Sequence, residues 1–175
     1  SGLEFVLGQS EGSFDDLGYM LISAILLQDE DEFYPQRVLL NLDQTFVVGP
    51  IYELRVAGVP DCSGNAFLFP DYSSGRFAIP EEHELGDLII NEVLFNPSDD
   101  GVDYVEIYNR SKKNINIEGW KLGNATSDDV ISTKQRVVFK GEYLLLSENS
   151  IAVLSEYQSP NLQSFLDMEG LPSYN

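Results

Sequence analysis

One histidine and one cysteine set the first limits on what this chain can do. A Ser-His-Asp relay needs an imidazole placed between a nucleophile and a carboxylate. Only His83 could supply it, and it sits in Pro80-Glu81-Glu82-His83-Glu84, a charged stretch that reads as solvated linker. A single histidine excludes a two-histidine metal centre. Cys62 alone forms neither an intrachain disulfide nor a cysteine-based zinc cluster. No glycine-rich phosphate loop, Gly-x-Ser-x-Gly elbow or metalloprotease helix occurs. Paired carboxylates can run glycosidic acid–base chemistry, but among 29 acids the sequence singles out no pair. The expectation is a non-enzyme that needs no cofactor.

Carboxylates also bind cations. Calcium takes about six to eight oxygens from carboxylates and carbonyls. Three acidic loops are expected to offer such groups: Asp29-Glu30-Asp31-Glu32, Asp99-Asp100-Gly101-Val102-Asp103 and Asp128-Asp129. Asp99, Asp100 and Asp103 are the tightest grouping and the candidate calcium ligands. No EF-hand spacing surrounds them, and a solvated turn explains the same residues. The next run, Tyr104-Val105-Glu106-Ile107-Tyr108, alternates with period two. Tyr104, Glu106 and Tyr108 then share one face, and Val105 and Ile107 the other. Such a tyrosine pair, if exposed, could stack on a sugar ring or a partner protein. Cross-strand packing is the competing account. Tyr104 and Tyr108 are therefore the candidate interaction residues.

These residues must be positioned by strands, because short β-type runs divided by turn residues dominate the chain. Gly18–Leu27 fits a strand or a buried helix, and its strand-rich surroundings favour the strand. Arg37–Leu42 follows, then Ile51–Val56, with Glu53 and Arg55 on its polar face. A short strand is expected near Arg76–Ile79. The second half restarts at Leu88–Phe95 and continues through Val102–Tyr108, Ile115–Ile117, Trp120–Leu122, Arg136–Phe139 and Tyr143–Leu146. Gly119 permits a tight turn that swings Trp120 toward the core. Ser150–Tyr157 reads as the single helix, capped by Asn149 or Ser147, with Ile151, Val153 and Leu154 inward. Many short strands without a βαβ rhythm argue for an all-β protein made of β-sandwiches. Pro, Gly and charge cluster over residues 70–86 and mark a boundary. The expected division is 1–80, a linker at 81–86, and 87–175.

Composition narrows the function classes. The chain is 43% hydrophobic and carries a net charge of −19. It can therefore bury a core. Residues 1–86 hold 15 acids and 3 bases, and residues 87–175 hold 14 and 7. Neither half suits a polyanion, so no nucleic-acid partner and no anionic membrane surface is expected. No apolar run is long enough to span a bilayer as a helix. No basic segment followed by an apolar one opens the chain, so no signal peptide is read there.

The segment Leu88-Ile89-Ile90-Asn91-Glu92-Val93-Leu94-Phe95-Asn96-Pro97 resembles the opening strand of the bacterial lamin-tail domain. The resemblance continues in Val102–Asn109, Ile117-Glu118-Gly119-Trp120-Lys121-Leu122 and Gly141–Ser147. The order and spacing of these four blocks carry it over about residues 87–175. The family usually continues with two more apolar strands after the position of Leu171–Asn175. This implies a second module incomplete at its C-terminus, with an open sheet edge where a second copy could pair as a homo-dimer. In the first half, Ile51–Asn65 is similar to the last strand and loop of a bacterial immunoglobulin-like domain, which ends in a Val-x-Asp-x-x-Gly-Asn turn. The fold implied is two immunoglobulin-like β-sandwich modules in tandem.

What these resemblances imply is a non-catalytic structural or interaction module. It would belong to a secreted or cell-surface bacterial protein, extracellular or periplasmic, with protein or glycan partners. The alternative is an accessory domain of a secreted hydrolase whose catalytic domain lies elsewhere. Some lamin tails are associated with DNA, an activity the −19 charge opposes.

Overall fold

The computed structural model describes residues 4–9, 15–16, 21–27, 37–58, 73–95, 101–157 and 164–172. Contacts divide the chain into two units, Ser1–Ile79 and Pro80–Asn175. The candidate calcium ligands Asp99 and Asp100 lie outside the described residues, as do Cys62, the turn at 59–65 and the acidic run 29–32.

In the first unit, β1 (Glu4–Gln9), β2 (Asp15–Asp16), β5 (Tyr52–Ala57) and β6 (Ser73–Phe77) form an antiparallel sheet in the order β2-β1-β5-β6. Strands β3 (Leu21–Leu27) and β4 (Arg37–Leu42) pair separately, with a register shift between Leu21 and Ser23. The segment that fitted strand or helix is thus a strand, its backbone groups satisfied by β4 rather than by its own turn. Along β5, Glu53 and Arg55 form an ion pair at 2.8 Å on one face, as the alternation requires.

Tyr52 organises the described core of this unit. It is 1% exposed, with the rings of Phe46 and Phe77 at 4.8 and 5.4 Å. Its hydroxyl donates to the Val47 carbonyl at 3.2 Å and accepts from the Val47 amide at 3.0 Å. A tyrosine at a strand start that ties back to backbone a few residues upstream locks the preceding corner. Tyr52→Phe removes both bonds and keeps the ring. The expected loss is about 1 kcal/mol, read as a lower midpoint in urea with unchanged slope.

The second unit carries β7 (Leu88–Leu94), β8 (Tyr104–Asn109), β9 (Ile115–Asn116), β10 (Lys121–Gly123), β11 (Asp128–Val130), β12 (Val137–Val138), β13 (Tyr143–Ser147), α1 (Ser150–Glu156) and β14 (Phe165–Asp167). One sheet runs β14-β13-β8-β7, and the ladders β12-β9 and β10-β11 stand apart from it. Val105, Ile107, Leu144 and Leu146 from the large sheet meet Ile115, Ile117, Leu122, Ile131 and Val138 in one buried cluster. This is the inner face that alternation assigns to Val105 and Ile107. The regular elements of the described residues are strands, with one short helix.

Several local expectations change. Asp128 and Asp129 are not in a loop: both belong to β11, where Asp128 takes the Lys121 ammonium at 2.7 Å. Helix α1 is capped by Asn149, whose side chain accepts from the Ala152 amide at 3.1 Å. Its inward residue is Val153, whereas Ile151 is 77% exposed. A helix this short covers the sheet with one narrow stripe. Val153 occupies that stripe with Leu154 half-buried beside it, and Ile151 falls on the far side.

Residues 81–86, read as a linker, are tied into the second unit. The Glu81 amide donates to the Asn114 carbonyl at 2.8 Å. The His83 ring meets Trp120 edge-on at 4.7 Å. The Glu84 amide donates to the Asp87 carboxylate, which also accepts from the Lys113 ammonium. The amide and then the ammonium hold the Asp87 carboxyl below its ordinary range. The charges that suggested solvation are thus partly used to fasten the chain.

Candidate interaction face

The large sheet of the second unit has two unlike faces. Its inner face is aliphatic. Its outer face presents Tyr104, Glu106 and Tyr108 from β8, with Tyr143 and Leu145 from β13. The register explains the grouping: Tyr108 is opposite Tyr143, and Glu106 is opposite Leu145. Phe165 pairs with Leu145 from the parallel neighbour β14. Helix α1 lies over one end of this face and contributes Val153, followed by Tyr157. Between these elements lies a cleft of about 320 Å³, at the small end of ligand-sized sites.

The two candidate tyrosines do not form a pair with each other. Tyr108 stacks on Tyr143 across the strands, with centroids at 4.4 Å and an interplanar angle of 24°. Tyr104 is only 8% exposed. Its ring meets Tyr157 edge-on, and its hydroxyl donates to Glu92 at 2.7 Å. Burial, then that hydrogen bond, pushes the Tyr104 phenol well above its ordinary range. Tyr104 therefore acts as an anchor for the face. The rings that offer open surface are Tyr143, 44% exposed, and Tyr157, 49% exposed.

The carboxylates of this face are paired by the strands. Glu92 on β7 stands opposite Glu106 on β8, just past a register shift between Ile90 and Glu92. Asn91 at that irregularity donates its amide to Glu106 at 2.7 Å. Nothing local in the sequence singles out Tyr143, Tyr157, Phe165 or Glu92 as members of this face. Alternation in Tyr143-Leu144-Leu145-Leu146 already places Tyr143 opposite in phase to the core leucines. The strand pairing that brings it to Tyr108 is a long-range fact with no local signal.

The remaining candidates are placed as follows. Asp103 is half-buried, and its backbone carbonyl accepts from the buried Ser147 hydroxyl at 3.0 Å. Among the described residues, no group of three or more His, Cys, Asp or Glu side chains is arranged to hold a metal. His83 is exposed and meets Trp120 rather than a nucleophile. Trp120 is partly buried and packs against the core, reached through Gly119 at φ +74°. No described helix is long and apolar enough to cross a membrane.

An Ig-like arrangement of strands, with a turn-borne tryptophan against its core, is what the comparison with known families then meets. Residues 81–167 match the Lamin Tail Domain. This family is an Ig-like β-sandwich and a structural rather than catalytic class. The match begins at Glu81, so the segment fastened through Asn114 falls within the matched portion. It ends at Asp167, the last residue of β14, so the matched portion contains all four strands of the large sheet. The outer face described above lies on that sheet. No curated protein and no solved structure matches the chain.

Proposed function

We propose that this chain is a non-catalytic interaction module of a secreted or cell-surface bacterial protein, and that it contacts a protein or glycan partner through the outer face of its lamin-tail sheet. One observation carries the reading. The same strands that build an aliphatic core on one side present tyrosines and a half-buried carboxylate around an open cleft on the other. Aromatic rings supply large contact area at low entropic cost and are enriched where surfaces bind. The lamin-tail match supports a structural class.

The first unit is, in this reading, a second Ig-like module. The Tyr52 corner, tied to Val47, is a recurrent device of such sandwiches and supports it. Pairing of two copies through an open sheet edge is compatible with the same role.

The test is a binding screen of the full chain against oligosaccharides and short peptides, followed by amide shift mapping. The expected result is a binder whose shifts centre on Tyr143, Tyr157 and Glu106. Binders whose shifts map consistently to another surface would refute the assignment of this face.

A further inference from the structure

We infer that the cleft receives a cationic side chain, lysine or arginine, presented by a protein partner. This rests on the reading of the outer face as an interaction surface and commits it to one occupant.

The walls are aromatic. Tyr143 and Tyr157 are 44% and 49% exposed, and Phe165 lines the cleft with them. The face of an aromatic ring is electronegative and attracts ammonium and guanidinium groups. The cleft also contains the Glu106 carboxylate. Among the described residues, its carboxylate accepts from the neutral Asn91 amide at 2.7 Å. Glu92 stands directly opposite and accepts from the neutral Tyr104 hydroxyl. Like charges opposite each other across two strands oppose pairing. Among the described residues, neither carboxylate has an ion-pair partner and no lysine or arginine lines the cleft. A cation entering between the rings would meet Glu106 and relieve its repulsion with Glu92.

Charge complementarity selects among occupants. The chain carries −19 overall, a field that draws basic partners and repels acidic ones. A neutral sugar would use the rings and leave the two carboxylates facing each other. An apolar side chain would do the same and would also desolvate Glu106. The cation is the occupant that uses both the rings and the acid.

The test uses the full chain and a short neutral-ended peptide with one lysine, against the same peptide with norleucine at that position. Binding is followed by NMR titration at physiological salt. The lysine peptide is expected to shift signals around Tyr143, Tyr157 and Glu106, and the norleucine peptide to bind at least about tenfold more weakly. Glu106→Gln and, separately, Tyr157→Ala should each weaken the lysine peptide several-fold. Glu118→Gln, an exposed acid away from the cleft, should leave it within about twofold. Tyr157 is half exposed at the helix end, so its variant keeps the test valid if Glu106→Gln fails to fold. Equal binding of the two peptides, equal weakening by Glu118→Gln and Glu106→Gln, or no lysine-dependent shift would each overturn the inference. An uncharged oligosaccharide that binds the same face, is lost in Tyr143→Ala and is indifferent to Glu106→Gln would also overturn it. That result would leave the interaction-face reading standing.

Discussion

Asn109→Ala is expected to destabilise the second unit by about 3 kcal/mol, although it removes no apolar contact surface of consequence. Asn109 is fully buried at the end of β8. Its amide donates to the Lys113 carbonyl at 2.8 Å and the Val138 carbonyl at 2.9 Å. Its carbonyl oxygen accepts from the Ser111 amide at 3.1 Å and the Ser111 hydroxyl at 2.7 Å. One side chain thus joins β8, the turn at 110–113 and β12. Each bond is worth about 1 kcal/mol net, and each buried group left unpaired costs more. Unfolding is read from the fluorescence of Trp120, the only tryptophan in the chain and a member of this unit. Asn109→Asp gives an informative contrast. The oxygen that replaces the amide nitrogen would face the Lys113 and Val138 carbonyls, so the folded state favours the protonated acid. A carboxyl raised by folding stabilises below its unfolded range and loses that contribution as pH rises. The Asp variant should therefore approach the parent chain in acid and fall away toward neutral pH. A pH-independent difference would contradict this account of the site.

Leu146→Ala is expected to cost as much or more, about 3–4 kcal/mol. Leu146 is fully buried in β13, in a cluster with Val105, Leu144, Ile115 and Ile117. It sits opposite Val105 in register, so both neighbours point into the same layer. Truncation removes transfer free energy and leaves a cavity that the surrounding strands cannot close. For a unit of this size the melting temperature should fall by at least about 10 °C. Leu146→Met keeps the volume and should cost less than about 1.5 kcal/mol. The adjacent outward residue provides a contrast, since Leu145→Ala empties a site that already borders the open cleft. If Leu145→Ala were the more damaging, the inner and outer faces of the sheet would be assigned the wrong way round.

Much of this fold is legible in sequence where a local pattern has a local cause. Period-two alternation in 104–108 assigns Val105 and Ile107 to the core. Gly119 marks the turn that delivers Trp120, and its positive φ is the reason a residue without Cβ stands there. Asn149 before Ser150 marks the helix start. The failures have causes too. Ile151 looks inward because it is apolar, but in a helix this short the choice of stripe is made by the sheet beneath. Asp128 and Asp129 look like a loop because aspartate disfavours strands. Pairing with β10, and the Lys121 ion pair, override that preference. Strand β14 leaves no local signal, since three residues carry too little periodicity to register. The interaction face was half visible. Tyr104, Glu106 and Tyr108 follow from one strand. Tyr143, Tyr157, Phe165 and Glu92 arrive by pairings whose partners lie far apart in the chain.

The double variant Tyr143→Ala, Tyr157→Ala, measured for both stability and binding, tests the central claim most directly. If these rings form a binding surface, the loss of stability stays within about 2 kcal/mol, the worth of one stacked pair and one edge contact. Binding of the lysine peptide is then abolished. If instead the rings exist only to pack β8, β13 and α1 together, stability falls as far as it does in Leu146→Ala, and any peptide binding by folded protein is unchanged.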